Sequence, residues 1–300
     1  MGICDGRVVV ITGAGRGLGR SHALAFAREG AKVVVNDLGG APDGSGASTG
    51  PAHDVVDEIR AMGGEAVANA DDVADFDAAA GIIKTALDTF GRLDVVVNNA
   101  GILRDRMFVN IQPDEWDATI RVHLRGHFCV GRHAASYWRD QAKAGETVDA
   151  RLINTSSGAG LMGSVGQTAY AAAKAGIAAM TVVQAVELGR YGVTANGLAP
   201  SARTRLTEGV FNDMMKEVDS GFDAMDPDNI SPLVVWLGSA ESRDVTGRLF
   251  EIEGGVLSVC DGWQHGPRIE KDRRWEPSEV GPALRELIAQ APPPAPVYGA

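Results

Sequence analysis

Tyr170 and Lys174 stand four residues apart in Ala169-Tyr-Ala-Ala-Ala-Lys-Ala-Gly-Ile177, a run of strong helix formers, so both side chains project from one helix face. A phenol with an ordinary pKa of about 10 is a poor acid or base at neutral pH, and a neighbouring ammonium favours the phenolate. The pair has the composition of a proton-transfer site. An ordinary surface Tyr/Lys pair has the same spelling, and two residue types at one spacing often arise by chance. Ser157 lies thirteen residues before Tyr170, in the small polar run 154–160 that follows the apolar stretch 151–154. Its hydroxyl could hydrogen-bond an oxygen on which charge develops, while Tyr170 gives or takes the proton. Alone, Ser157 reads equally well as a turn serine.

A second constellation opens the chain. Thr12-Gly13-Ala14-Gly15-Arg16-Gly17-Leu18-Gly19 follows an apolar β-branched run and precedes a segment with helical spacing. Glycines let the backbone approach a pyrophosphate, and a helix N-terminus there offers unpaired N–H groups and partial positive charge. Gly13, Gly15, Arg16, Gly17, Leu18 and Gly19 are therefore candidate cofactor residues, with a tight turn that binds nothing as the alternative. Asp37 closes the next strand about 20 residues past the glycines, where a carboxylate can accept hydrogen bonds from adenosine ribose hydroxyls. That favours NAD over NADP, because a 2′-phosphate would meet the carboxylate and no Arg or Lys stands beside it; Lys32 is at the far end of the strand. A solvated loop aspartate is the other reading.

These residues need a scaffold that brings position 13 to position 174. Apolar runs at Val8–Ile11, Val33–Val35, Val95–Val97 and Leu152–Ile153 are each followed by helical spacing, which implies an α/β fold with a doubly wound parallel sheet. The first helix is expected from Arg16 to the Glu29-Gly30 cap, others over 55–62 and 75–90 closed by Gly91, with a short strand over 65–70. Residues 39–50, rich in Gly, Pro, Ser and Asp, read as a surface insertion that either folds onto a ligand or is solvated. One domain over 1–255 is expected, ending at Gly254-Gly255. A C-terminal extension, 256–300, follows with Trp263, Trp275 and a Pro-rich tail 291–296 expected to be extended or disordered, the tryptophans being available to a neighbouring subunit.

Composition limits the function. With 28 basic and 39 acidic residues the formal charge is -11, and no Lys/Arg run tracks a phosphate backbone, which argues against nucleic acid or anionic membrane as partners. No stretch is read as reaching the roughly 18 apolar residues of a membrane span, and the start lacks a signal-like segment. Gly2 and Cys4 hint at acylation, but Gly6 breaks the myristoylation pattern. Cys4, Cys129 and Cys260 are few, scattered and odd in number, which argues against a disulfide framework and suggests a cytoplasmic setting. The other histidines, His22, His53, His127, His133 and His265, lack metal-ligand spacing, so no metal is expected.

Taken together, Thr12-Gly-x-x-x-Gly-x-Gly19, Asn98-Asn-Ala-Gly101, Ser157 and Tyr170-x-x-x-Lys174 resemble the short-chain dehydrogenase/reductase family in order and spacing across residues 6–255. The resemblance implies a Rossmann-type sheet, a homodimer or homotetramer, and interconversion of a secondary alcohol and a ketone. It implies that Asn99, Ala100 and Gly101 line the cofactor, that Asp72 and Val73 flank adenine beside Asp37 and Leu38, and that Lys174 binds the nicotinamide ribose. Pro200-Ser201 stands where the family has Pro-Gly; Ala202 and Arg203 follow as cofactor candidates, and Arg203 and Arg205 either meet a CoA phosphate or lie solvated. Many members have Asn where His123 stands, holding a water chain to the lysine; His123 could support such a relay, titrate, or simply pack. Within the family, Val35-Asn-Asp-Leu-Gly-Gly40, Asn98-Asn-Ala-Gly-Ile-Leu-Arg-Asp-Arg106 and Val122-His-Leu-Arg-Gly126 resemble the (3R)-hydroxyacyl-CoA dehydrogenase domains of peroxisomal multifunctional enzymes. That implies an acyl-CoA-like substrate, with a steroid or other carbonyl as the alternative and a non-catalytic NAD-binding scaffold as the reading from another class.

Overall fold

The computed structural model describes residues 2–204, 220–260 and 262–299. Eight strands form one sheet in the order β3-β2-β1-β4-β5-β6-β7-β8: β1 Val8–Thr12, β2 Lys32–Asn36, β3 Glu65–Asn69, β4 Val95–Asn98, β5 Ala150–Thr155, β6 Val193–Ser201, β7 Leu249–Glu253 and β8 Val256–Cys260. The first seven are parallel, and β8 runs antiparallel to β7. Strands buried on both faces must be apolar without alternation, which is why β1 reads VVVIT and β4 VVVN.

Alternate residues of each strand feed two cores. Val9, Ile11, Val33, Val35, Val95 and Val97 pack under α1 Gly17–Arg28, α2 Gly50–Ala61 and α8 Ser231–Gly238. Val8, Val10, Val34 and Val96 pack on the other face under α3 Phe76–Phe90 and α5 Gly126–Lys143, where the buried Trp138 donates its indole N–H to the Leu93 carbonyl at 2.8 Å. Among the described residues the remaining α-helices are α4 Pro113–Ile120, the short α6 Gly158–Met162, α7 Thr168–Leu188 and α9 Pro277–Gln290. The expected elements lie close to these bounds, except that α2 begins at Gly50, five residues before the expected start of its helix. Asp75 caps α3 by accepting from the Ala78 N–H at 2.8 Å, and Gly91 ends it at φ 78°, the left-handed conformation a β-carbon would disfavour.

Two expectations change. The glycine pair 254–255 does not end the sheet; it turns the chain into the β7–β8 hairpin, so the sheet runs five residues past the expected boundary. Val256, Leu257 and Val259 are exposed on that outer strand, so it shows none of the inward–outward alternation that would mark it in the sequence. Second, the segment Thr168–Tyr191 is long and apolar enough by composition to cross a membrane, at mean hydropathy 1.3, although polar residues interrupt its apolar run. One face of α7, including Ala169, Ala173, Ile177 and Ala185, is buried in this fold. The insertion over 39–50, for which both folding onto a ligand and lying solvated were open, is exposed over 41–50 yet bonds the segment after β4: the Leu103 N–H donates to the Pro42 carbonyl at 3.0 Å and Arg104 Nε to the Asp43 carbonyl at 2.9 Å.

Candidate active site

The order of the sheet reverses between β1 and β4, and ligands of doubly wound folds collect outside the strand C-termini at such a point. One cleft there is lined by Gly13, Arg16, Gly17, Leu18, Gly19, Asp37, Leu38, Asp72, Val73, Asn99, Ala100, Gly101, His123, Tyr170, Lys174 and Ala202. Residues expected from four separate sequence motifs thus share one wall. Gly15, Ser157 and Arg203 do not line it.

The glycine turn is shaped by close approach. A β-carbon at Gly13 would stand 2.8 Å from the Ala100 Cα, and one at Gly19 would stand 2.1 Å from the Gly13 carbonyl oxygen, so neither position accepts a larger residue without movement. Thr12, not anticipated as a site residue, holds the two sides together. Its hydroxyl accepts from the Asn99 and Ala100 N–H groups at 3.0 and 3.1 Å, while Asn99 Nδ2 donates to the Thr12 carbonyl at 3.0 Å. The N-terminus of α1 has no side-chain cap and no acid in its first turn, which leaves its N–H groups and positive dipole end for an anion. This cradle fits the pyrophosphate of a dinucleotide.

Asp37 stands at the end of β2 as expected, held by two backbone donors: Gly15 N–H at 2.8 Å on one oxygen and Gly39 N–H at 2.6 Å on the other. This is why Gly15 lies behind the cleft rather than in its wall. At the Asp37 end of the cleft, Asp72 is paired to Arg121 at 2.6 Å, a contact between segments 49 residues apart that no local signal betrays. Ala41, Pro42 and Gly44 of the insertion line the same cleft. Arg203 is turned away: its guanidinium pairs with Asp223 and its N–H donates to the Met225 carbonyl at 2.7 Å, so the expectation that it faces the cofactor is corrected. A carboxylate offers that guanidinium a charge-assisted bond outside the cleft. Arg205 lies outside the described residues.

The chemical end sits where α7 passes the tip of β5. Lys174 is buried and donates from Nζ to the Thr155 carbonyl at 2.7 Å, with Nζ 5.5 Å from the centroid of the Tyr170 ring. Burial pushes the Lys174 pKa down to about 7. Burial also raises the Tyr170 pKa; a hydrogen bond with Ser157 lowers it, and the Asp105 carboxylate raises it. Desolvation therefore offsets the depression of the phenol expected from a nearby ammonium. Ser157 is the N-cap of α6, its hydroxyl accepting from the Ala159 N–H at 3.2 Å, so the helix start fixes its position against Tyr170. Asp105, missed in the sequence, accepts from Gln167 Nε2 at 2.7 Å, and burial raises its pKa.

His123 occupies a π-helical turn, Arg121–Arg125, between α4 and α5. Such one-turn insertions rotate a side chain out of α-helical register. The turn puts the imidazole edge-on to Tyr170, with ring centroids 5.1 Å apart, and pairs its Nε2 with the Ile102 carbonyl at 2.7 Å. Burial, with Lys174 as the second cause, lowers its pKa to about 3, which favours the neutral imidazole. Its bond runs to backbone, not to Lys174.

Known proteins resemble this chain in sequence and fold. A family model described as short chain dehydrogenase matches residues 7–214. The chain is 46% identical over 297 residues to hydroxyacyl-CoA dehydrogenase ChsB1 of Mycobacterium tuberculosis, covering 96% of this chain and 90% of that one. It is 48% identical over 253 residues to peroxisomal multifunctional enzyme type 2 of Mus musculus, covering 84% of this chain but 32% of that much longer protein. A crystal structure of a short chain dehydrogenase from Mycobacterium avium superposes with a TM-score of 0.91 at 63% identity, each chain covered completely. The glycine cradle, the Tyr170–Lys174 helix and these matches together make the chain a member of the short-chain dehydrogenase family, an oxidoreductase acting on CH–OH donors.

Proposed function

We propose that this oxidoreductase is NAD-dependent, acts through Tyr170, and interconverts the secondary alcohol and ketone of a 3-hydroxyacyl-CoA-type substrate. The observation that carries the reading is the half-buried Tyr170 with the buried Lys174 at one end of the cleft, Tyr170 hydrogen-bonded to Ser157 just outside its wall, and the carboxylate of Asp37 at the other end. A nicotinamide bound along that wall would accept or return the hydride at its ring. In the oxidative direction the substrate oxygen hydrogen-bonds Ser157 and Tyr170. The Tyr170 oxygen takes the hydroxyl proton as the carbon–hydrogen bond gives up its electron pair, and the carbonyl forms. The charged form of Lys174 favours the phenolate, and its nearly neutral pKa makes that help pH-sensitive. Asp37, fixed by Gly15 and Gly39, presents a negative charge where an NADP phosphate would stand.

The acyl-CoA assignment draws on the named relatives. The exposed apolar residues Val182, Val183 and Val186 on α7 support a homodimer or homotetramer built on that helix. A steady-state screen with NAD and NADP against 3-hydroxyacyl-CoAs of several lengths and a set of hydroxysteroids tests the substrate and cofactor together. NAD-linked oxidation of the thioesters is expected. In Asp37→Ala, the preference for NAD is expected to fall by about tenfold to a hundredfold, the worth of a hydrogen bond to a charged group. Turnover confined to steroids would overturn the substrate, NADP preference would overturn the cofactor, and silence on the whole panel despite NAD binding would favour a scaffold.

A further inference from the structure

The Pro-rich end of the chain does not simply trail into solvent. Past α9 it crosses back to the substrate side of the sheet, where Tyr298 lies alongside Ser164 as a parallel bridge. The Tyr298 N–H donates to the Gly163 carbonyl at 3.2 Å, and the Tyr298 carbonyl accepts from the Val165 N–H at 3.0 Å. The Tyr298 hydroxyl donates to Glu251 Oε1 at 3.3 Å, at the middle of β7. Backbone and side chain thus anchor the tail at separate points.

The surface beneath is cut to receive it. A β-carbon on Gly158, the residue after Ser157, would stand 2.9 Å from Cε2 of the Tyr298 ring and 3.0 Å from its hydroxyl oxygen. Gly163 has φ +85°, and a β-carbon there would meet the Val297 methyls at 3.4 and 3.5 Å. The loop so gripped connects Ser157 to Tyr170. Its far end, Gln167, bridges Arg106 and bonds Asp105, joining it to the segment after β4. Val297 and Tyr298 are each a little under half exposed, and Tyr298 presents its ring beside Gly158, the residue after Ser157, in a hollow shared with Asp105, Met107 and Gln167 outside the cleft that holds Tyr170.

We propose, resting on the secondary-alcohol reading of the site, that Val297 and Tyr298 form the outer wall of the substrate entrance and select among alcohols by the bulk of the part that leaves the cleft. A short substrate ends before that wall. A longer one lies against the Tyr298 ring and Val297 and gains from burying them. The tail is a specificity element that acts on binding, with no part in the proton or hydride step.

The test compares the full chain with a variant lacking residues 291–300 and with Tyr298→Ala and Tyr298→Phe, using the smallest and largest secondary alcohols that the wild type oxidises. Truncation and Tyr298→Ala are expected to raise KM for the largest alcohol by about tenfold, the worth of burying half an aromatic side chain, while kcat and NAD affinity stay within about twofold. KM for the smallest alcohol should be unchanged, and Tyr298→Phe, which keeps the ring, should behave as wild type. A uniform KM change across sizes, an unchanged KM for the largest, or a parallel loss of NAD affinity overturns the proposal. If only hydroxysteroids are oxidised, the thioester reading fails while the comparison still judges the tail.

Discussion

Lys174 is placed where its charge is hardest to keep: buried, with one backbone carbonyl as its hydrogen-bond acceptor and the face of a tyrosine nearby. A lysine whose folded pKa is about 7 and whose unfolded pKa is about 10.5 binds fewer protons folded than unfolded between those values. Its contribution therefore grows more favourable as pH rises through that window, and its penalty is complete below it. In thermal unfolding, the stability of wild type relative to Lys174→Met is expected to increase from pH 7 to pH 9.5; a flat or falling difference contradicts the burial. The spacing of Tyr170 and Lys174 was legible in the sequence because a helix repeats every few residues. The desolvation was not, since the residues that enclose them come from α6, the π-turn and β5. Asp37 shows the same limit: its position at a strand end was readable, whereas the two N–H groups that fix it were not.

At the scale of elements, the catalytic face is made by α6 resting on α7. Gly160 permits that contact, because a β-carbon there would lie 2.6 Å from the Lys174 Cβ and 2.7 Å from its backbone carbon. Gly160→Val should push the helices apart and move Ser157 from Tyr170, lowering kcat by about a hundredfold, as sub-ångström to 1 Å misplacements do. NAD affinity should stay within about threefold of wild type, because the glycine cradle and Asp37 lie on other elements. A fluorescence titration of NAD with kcat from the same preparation separates the two, and an unchanged kcat would show that the α6–α7 contact does not set the geometry. The strands and helices of the first half were readable from their apolar runs, as buried parallel strands must be. The π-turn was not, because its extra residue leaves the apolar pattern of Arg121–Arg125 looking helical.

For the whole molecule, two cores on opposite faces of one sheet make a rigid frame, and the cleft follows from the reversal of strand order between β1 and β4. This architecture was legible from strand–helix alternation, while β8 and the returning tail were not: an exposed hairpin strand and a Pro-rich end carry no periodicity. The apolar outer face of α7 leads to an expected dimer or tetramer by sedimentation velocity, and Val183→Asp with Val186→Asp should dissociate it. A monomeric wild type would contradict the oligomer.

The most direct test is turnover of Tyr170→Phe with saturating NAD and the best alcohol from the screen, measured alongside NAD affinity. A loss of kcat between about a hundredfold and ten-thousandfold with NAD affinity unchanged is expected for a group that moves the proton. A Tyr170→Phe protein retaining about a tenth or more of wild-type turnover would contradict the assignment.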